Sequence, residues 1–166
     1  MRWRLNKIKP EIVGITGSVG KTSIKEAIFA AIHERIPTHC SKKSYNTEFG
    51  SLLSILEQES GYSSPLKWGL SIVKGFWSTL MLEDAPYKKL ILEMGADKPG
   101  DIEYLVKRIQ PQIGIFANVK AMHLAEGQFE DLDDIFKEKA KLIQALPKEG
   151  WAILNADDKR VASLVD

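Results

Sequence analysis

Residues 12–23 read Ile-Val-Gly-Ile-Thr-Gly-Ser-Val-Gly-Lys-Thr-Ser, and this stretch decides the fold. An apolar, β-branched run comes first, a glycine-rich turn follows, and a helical pattern then extends from Ile24 to Ile32. The order predicts a strand, a tight loop and a helix, which is the unit that builds parallel α/β sheets.

The glycine-rich turn has the composition of a phosphate-binding loop. Such a loop turns backbone N–H groups inward, and the helix after it adds the positive end of its dipole. We expect Lys21 to reach the β- and γ-phosphates of a nucleotide and the Thr22 hydroxyl to bind Mg²⁺. The general pattern G-x-x-x-x-G-K-[ST] would place its first glycine at Ile15, so residues 16–23 carry the variant T-G-x-x-G-K-T-S. A β–α turn without a ligand is the alternative.

Length, charge and cysteine content narrow the class of protein. The 166 residues suit one domain, and 23 basic against 22 acidic residues give no excess charge that would attract nucleic acid. Cys40 is the single cysteine, so no internal disulfide can form, which suits a cytoplasmic location. Residues 1–11 form a basic lead-in without the apolar core of a secretory signal.

Residues 66–82 are apolar apart from Lys67, Lys74 and a few small polar residues. A bilayer span needs about 20 apolar residues, so we expect no transmembrane span here. We interpret the segment as a helix packed on the domain or lying on a surface, and we expect its aromatic side chains, including Phe76 and Trp77, to cover a core. Contact of these aromatics and Trp68 with a membrane or a partner is the alternative.

Further apolar runs alternate with helical patterns along the chain. Strands are predicted near residues 38–40, 87–95, 113–119 and 151–155, without hairpin signals between them. The prediction is therefore an α/β fold with a mostly parallel sheet flanked by helices. Glu93 ends one buried run and would present a carboxylate to a metal beside the phosphate loop. The polar loop 42–50 would contact a ligand or serve as a solvated linker.

Lys139 lies within the apolar stripe of the last long helical pattern. Leu132, Ile135, Phe136, Ile143 and Leu146 define that stripe, whereas Lys137 and Lys141 are expected to point into water. A buried lysine tends to lose its proton, and a neutral amine can react with CO₂ to form an anionic carbamate that suits Mg²⁺. The alternative is that Lys139 reaches the rim or pairs with an acid.

Six segments in order resemble the central ATP-binding domain of the Mur ligases, which assemble peptidoglycan precursors. They are residues 15–23, 45–50, 92–96, 118–124, 139–141 and 155–158. The Glu-Met-Gly-Ala run at 93–96, and Leu146-Pro147 before Asn-Ala-Asp, resemble the branch that adds D-alanyl-D-alanine to UDP-muramoyl-tripeptide.

The resemblance implies a role for each matching residue. ATP would be held by the loop and by Asn118, the loop residues being Thr16, Gly17, Ser18, Val19, Gly20, Lys21, Thr22 and Ser23. Thr22 and Glu93 would bind one Mg²⁺, and Glu93 and His123 a second. Lys139 matches the family's carbamylated lysine and would be a further metal ligand. Asn46 and Thr47 would contact substrate. The implied catalytic set is Lys21, Glu93, His123 and Lys139.

The implied reaction joins a UDP-linked peptide to an amino acid or dipeptide through an acyl phosphate made from ATP. Residues 12–166 would be an incomplete central domain, with the missing ligase domains supplied elsewhere and ligation not completed by this chain alone. Leu52 stands where the family usually has proline. A related ligase of the folylpolyglutamate or cyanophycin type, or a non-catalytic nucleotide-binding scaffold, is the alternative.

Overall fold

The computed structural model describes residues 2–40, 55, 65–81, 85–121 and 128–165, with only the backbone for 65–68, 71 and 72. The strands are β1 (Glu11–Thr16), β2 (Thr38–Cys40), β3 (Lys89–Glu93), β4 (Ile113–Phe116) and β5 (Trp151–Leu154). The helices are α1 (Arg2–Ile8), α2 (Lys21–Ile32), α3 (Pro65–Leu80), α4 (Asp101–Ile109), α5 (Leu132–Gln144) and α6 (Lys159–Ala162), and a 3₁₀ turn covers Ser163–Val165.

The five strands form one parallel sheet in the order β2-β3-β1-β4-β5. This confirms the predicted α/β class with helices on both sides. The strand that precedes the glycine-rich loop, β1, is the central one. β3 and β2 lie on one side of it, and β4 and β5 lie on the other. In such sheets ligands bind beyond the carboxyl ends of the strands, where the strand order reverses.

Alternate residues of the central strands pack on opposite faces of the sheet, as the two-residue period of a strand requires. On one face Ile12 joins the core formed with α1, α4 and α5. On the other face Val13 and Ile15 pack against the apolar side of α2. Gly14 lets α5 approach closely, since a Cβ there would lie 3.0 Å from Leu142 Cδ1.

The basic lead-in is a helix, which the sequence reasoning did not anticipate. Leu5 and Ile8 of α1 are buried in the main core, whereas Trp3 is exposed. The Arg4 guanidinium, 3% exposed, donates hydrogen bonds to the hydroxyls of Ser78 and Thr79 in α3 at 3.2 and 3.1 Å. These contacts join α1 to α3.

Residues 65–80 form the expected helix, but the expectation that its aromatic side chains cover a core is wrong for those that the structure describes. Phe76 and Trp77 of α3 are 57% and 59% exposed. The small residues Gly75 and Thr79 face inward instead. Among the described helices, none is long and apolar enough to cross a bilayer.

Candidate functional site

The glycine-rich loop leaves the central strand at Thr16 and enters α2 at Lys21. Gly17 has φ +150°, and a Cβ there would lie 3.0 Å from the Ala117 Cβ, so both conformation and space favour glycine. Gly20 has φ +83° and is the residue before the helix. The loop therefore directs the N-terminus of α2 toward the space beyond the carboxyl ends of the strands.

Asn118, just beyond β4, clamps this loop. Its side-chain oxygen accepts a hydrogen bond from Val19 N–H and its amide donates to Val19 O, both at 3.0 Å. Its backbone carbonyl accepts from Ser18 N–H at 3.0 Å. The Ser18 hydroxyl donates to Lys120 O and accepts from Lys120 N–H. These bonds hold the loop in one conformation, so Asn118 contributes to the site at least by positioning.

A second polar layer, which the sequence reasoning left without a role, holds the segment after β4. The Asn155 amide donates to Ala117 O at 2.8 Å, and the Asp158 carboxylate accepts from Val119 N–H at 2.8 Å. Asp158 also caps α6. The sequence feature that could have indicated this role is the position of Asp158 directly before a short helical pattern, because aspartate is a preferred N-cap residue. A cavity of about 730 Å³ opens between this layer and the loop, lined by Val19, Asn118 and Asp157 among others.

Glu93 lies beside the start of the loop because the parallel register pairs it with Ile15. Its side chain is 2% exposed. Thr22 Oγ1 donates a hydrogen bond to Glu93 Oε2 at 3.0 Å, and Lys25 Nζ lies 3.0 Å from Oε1. Lys25 is itself 1% exposed. The sequence thus correctly predicts that Glu93 meets the loop, but it missed the buried Lys25–Glu93 ion pair.

The Lys21 side chain folds over the loop. Its Nζ donates hydrogen bonds to the carbonyls of Gly17 and Ser18 at 2.8 and 3.3 Å. Burial lowers the pKa of Lys21, while the negative charges of Glu93 and Asp97 oppose that shift. The ammonium is therefore a partly desolvated cation at the mouth of the loop, where an anion would interact with it strongly.

Lys139 lies on the buried face of α5, as the helical pattern predicts, and is 3% exposed. Burial, and after it the positive charge of Lys21, lower its pKa to about 8 against the opposing negative charges of Asp97 and Glu138. Lys137 is 72% exposed as expected. The prediction for Lys141 is wrong, because its Nζ pairs with Glu138 at 2.8 Å and with Glu103 at 3.3 Å.

Lys21 and Lys139 come from different elements and direct their charges toward the same region. The positive charge of Lys21 disfavours a second positive charge on Lys139. An anion placed between the two amines would relieve this repulsion and is therefore favoured there. Thr22 and Glu93 offer two neighbouring oxygen donors, which fits Mg²⁺, an ion that commonly takes one or two protein ligands together with phosphate and water. Between residues 2 and 165, the described positions contain no cluster of three His, Cys, Asp or Glu side chains. His123, Asn46 and Thr47 lie outside the described residues.

Because Lys139 is buried, we predict that the free energy of unfolding depends on pH. In the folded state it releases its proton near pH 8, whereas in the unfolded chain it does so near pH 10.5. The unfolded state therefore binds more protons between these values, and the free energy of unfolding should rise with pH by about 3 kcal/mol across that window. Lys139→Met should stabilise the protein at pH 7 and lose this rise.

Urea unfolding at pH 7 and at pH 10.5 measures the effect, with Lys137→Met as the control for an exposed lysine on the same helix. A stability difference between Lys139→Met and the parent that stays constant across this pH range would contradict the assignment.

A parallel sheet whose central strand runs through a glycine-rich loop into a helix, with an acid from the neighbouring strand at the loop, defines a phosphate-loop α/β domain. Residues 15–166 match the family model of the Mur ligase middle domain. The chain belongs to the Mur ligase middle-domain family.

Individual relatives agree with this assignment. A UDP-N-acetylmuramoyl-tripeptide–D-alanyl-D-alanine ligase of Mycobacterium leprae is 32% identical over 155 residues, which are 93% of this chain and 25% of that protein. MurF ligase from Thermotoga maritima, solved in complex with ADP, is 28% identical with a TM-score of 0.70, covering 94% of this chain and 30% of its own. MurF from Acinetobacter baumannii, at 23% identity, shares the fold with a TM-score of 0.74 and covers 98% and 30%. The chain thus spans between a quarter and a third of the length of these relatives.

Proposed function

We propose that this chain is the ATP-binding and phosphoryl-transfer domain of an amide-forming ligase, of the kind that joins UDP-muramoyl-tripeptide to D-alanyl-D-alanine. The observation that carries the proposal is the hydrogen bond between Thr22, at the start of the loop's helix, and the buried Glu93. It brings the two oxygen donors that a metal-bound triphosphate needs next to Lys21. The names of the relatives and the ADP complex of the Thermotoga protein support this choice.

ATP would bind with its phosphates along residues 16–23. The loop's N–H groups and the N-terminus of α2 would hold the phosphate oxygens, and Lys21 would exchange its carbonyl partners for the β- and γ-phosphates. The clamp formed by Asn118 would keep the loop ready for this without reorganisation. The adjoining cavity beside Asn155 and Asp157 offers room for the rest of the nucleotide.

Thr22 and Glu93 are the residues that would hold Mg²⁺, and a second ion would use Glu93, His123 and a carbamylated Lys139. When bound, such ions neutralise the phosphate oxygens and let the negatively charged substrate approach. The lowered pKa of Lys139, about 8, leaves about a tenth of its amines neutral at pH 7 and so able to react with CO₂. The amine nitrogen attacks the CO₂ carbon to form the N–C bond, one N–H proton passes to solvent, and the carbamate oxygens carry the negative charge.

The proposed reaction has two steps. A carboxylate oxygen of the UDP-linked peptide attacks the γ-phosphorus, the bond to the β–γ bridging oxygen breaks, and ADP leaves. The amine of the dipeptide then attacks the acyl carbon, the C–N bond forms, phosphate leaves and the amine's proton passes to solvent. Lys21 would stabilise the charge on the transferred group throughout. The reaction would take place in the cytoplasm and would also need the parts of the ligase that this chain does not cover.

Two measurements test the proposal. Calorimetric titration with a non-hydrolysable ATP analogue and Mg²⁺ should show one site per chain. Absence of binding would favour a non-catalytic scaffold instead. With ATP and hydroxylamine, which traps acyl phosphates, a hydroxamate should form with UDP-muramoyl-tripeptide. Trapping with folate alone would move the assignment to a folylpolyglutamate-type ligase.

A further inference from the structure

Helix α3 presents its apolar side to solvent. Leu70, Val73, Phe76, Trp77, Leu80 and Met81 are between 46% and 63% exposed, and Trp3 of α1 is 47% exposed beside them. We call these seven residues the apolar face. Single exposed apolar residues are ordinary on a protein surface, but a contiguous group of this size usually marks a binding surface.

The arrangement on α3 is that of an amphipathic helix turned outward. At 100° per residue, the six apolar positions fall within an arc of about 140°, and Gly75 and Thr79 lie on the opposite side. Those two small residues are buried, so the helix rests on the protein with its smallest side chains. Lys74 is exposed and borders the apolar arc. Within the part of the chain that the structure describes, the seating of the helix therefore turns the apolar face toward solvent.

Several contacts fix this orientation. Lys7 Nζ donates hydrogen bonds to the carbonyls of Thr79 and Leu80 at 2.9 and 3.0 Å, which caps the end of α3. Arg4 binds the Ser78 and Thr79 hydroxyls. The Trp3 and Phe76 rings lie 5.2 Å apart, so α1 extends the apolar face. The apolar face is therefore formed by two helices that hydrogen bonds hold together.

Charge is distributed unevenly between this part of the chain and the rest. Residues 1–10 and 65–81 contain six Lys or Arg and no Asp or Glu. The other 139 residues contain 17 basic and 22 acidic residues. Arg4 is buried against α3, so the exposed cations of the helix pair that the structure describes are Arg2, Lys7, Lys9 and Lys74, of which Lys7 binds the terminal carbonyls of α3. Cationic and apolar character in one place is typical of helices that lie on membranes with anionic lipids.

We propose that α1 and α3 dock this domain on an anionic bilayer surface, with the apolar face in the headgroup region. The 16 residues of α3 include Lys67 and Lys74, and this helix is too short to cross the bilayer, so it would lie in the interface plane. Trp side chains are enriched at that depth, and Trp, Phe and Leu are common on the buried side of interfacial helices. A second copy of this chain fits the apolar face less well, because a symmetric contact would place two cationic helix pairs side by side and their charges would repel.

The test is cosedimentation of the 166-residue chain with vesicles of phosphatidylcholine alone and with 30% phosphatidylglycerol. We expect binding to the anionic vesicles that falls at least tenfold in 0.5 M NaCl. Trp77→Ser should weaken binding about tenfold, and Lys74→Gln about fivefold.

Matched controls are Trp151→Ser and Lys148→Gln. Trp151 is 72% exposed on the edge strand β5, and Lys148 is exposed in the turn between α5 and β5. Both controls should bind like the parent. Equal binding to neutral and anionic vesicles, equal losses in the controls, or a pellet that forms without vesicles would overturn the proposal. A soluble acidic protein that binds the face while vesicles do not would overturn it as well.

Discussion

Lys21→Met is expected to weaken binding of a magnesium-bound ATP analogue by at least about 100-fold, while the melting temperature stays the same or rises. In the described part of the chain Lys21 Nζ donates its hydrogen bonds to the Gly17 and Ser18 carbonyls, and burial already lowers its pKa. Removing a desolvated cation therefore costs the fold little. A bound triphosphate would lose charge-assisted hydrogen bonds, each of about 1.5–3 kcal/mol. Calorimetric titration and thermal melting measure both effects.

Lys137→Met is the control for this experiment, because Lys137 is 72% exposed and pairs only at 3.6 Å with Asp134. It should bind the analogue like the parent. A Lys21→Met variant that keeps full affinity would show that the loop does not hold the triphosphate, and a variant that unfolds would show that Lys21 supports the fold.

Lys25→Met is expected to cause the largest loss of stability of any single change at the site, about 3–5 kcal/mol. Lys25 and Glu93 are 1% and 2% exposed with 3.0 Å between Nζ and Oε1, so water does not screen the pair. Removing the lysine leaves a buried carboxylate whose remaining hydrogen bond, among the described residues, is the one from Thr22. In a chain of this length that corresponds to a fall of about 10 °C or more in melting temperature.

A double-mutant cycle separates this cause from loss of packing. Lys25→Met combined with Glu93→Gln removes both charges, so much of the stability should return. The coupling energy between the two positions should be about 1.5 kcal/mol or more. Strictly additive losses would mean that Lys25 acts through its packing and that the ion pair contributes nothing to stability.

The local sequence pattern was sufficient to predict the strands, loop and helices that form the site. Residues 12–23 predict a strand, loop and helix, and the parallel sheet that follows places Glu93 beside Ile15 without further information. The helical period of α5 places Lys139 inside, because periodicity identifies which residues share a face.

Other features of the site depend on tertiary contacts, which the local sequence pattern does not reveal. Lys25 follows Lys21 by one helical turn, but its burial depends on the acid that β3 brings to it. The Asn118 clamp joins residues about 100 positions apart, which no local window contains. In α3 the period gives the width of the apolar arc without saying whether it faces inward, so the sequence predicted a covered face where the structure has an exposed one.

A crystal structure of this chain with a non-hydrolysable ATP analogue, Mg²⁺ and bicarbonate tests the proposed nucleotide site directly. Our prediction is the γ-phosphate at Lys21 Nζ, a metal ion between Thr22 Oγ1 and the Glu93 carboxylate, and extra planar density on Lys139 Nζ. A nucleotide bound away from residues 16–23, with Glu93 still paired only to Thr22 and Lys25 and a bare amine at Lys139, would contradict it.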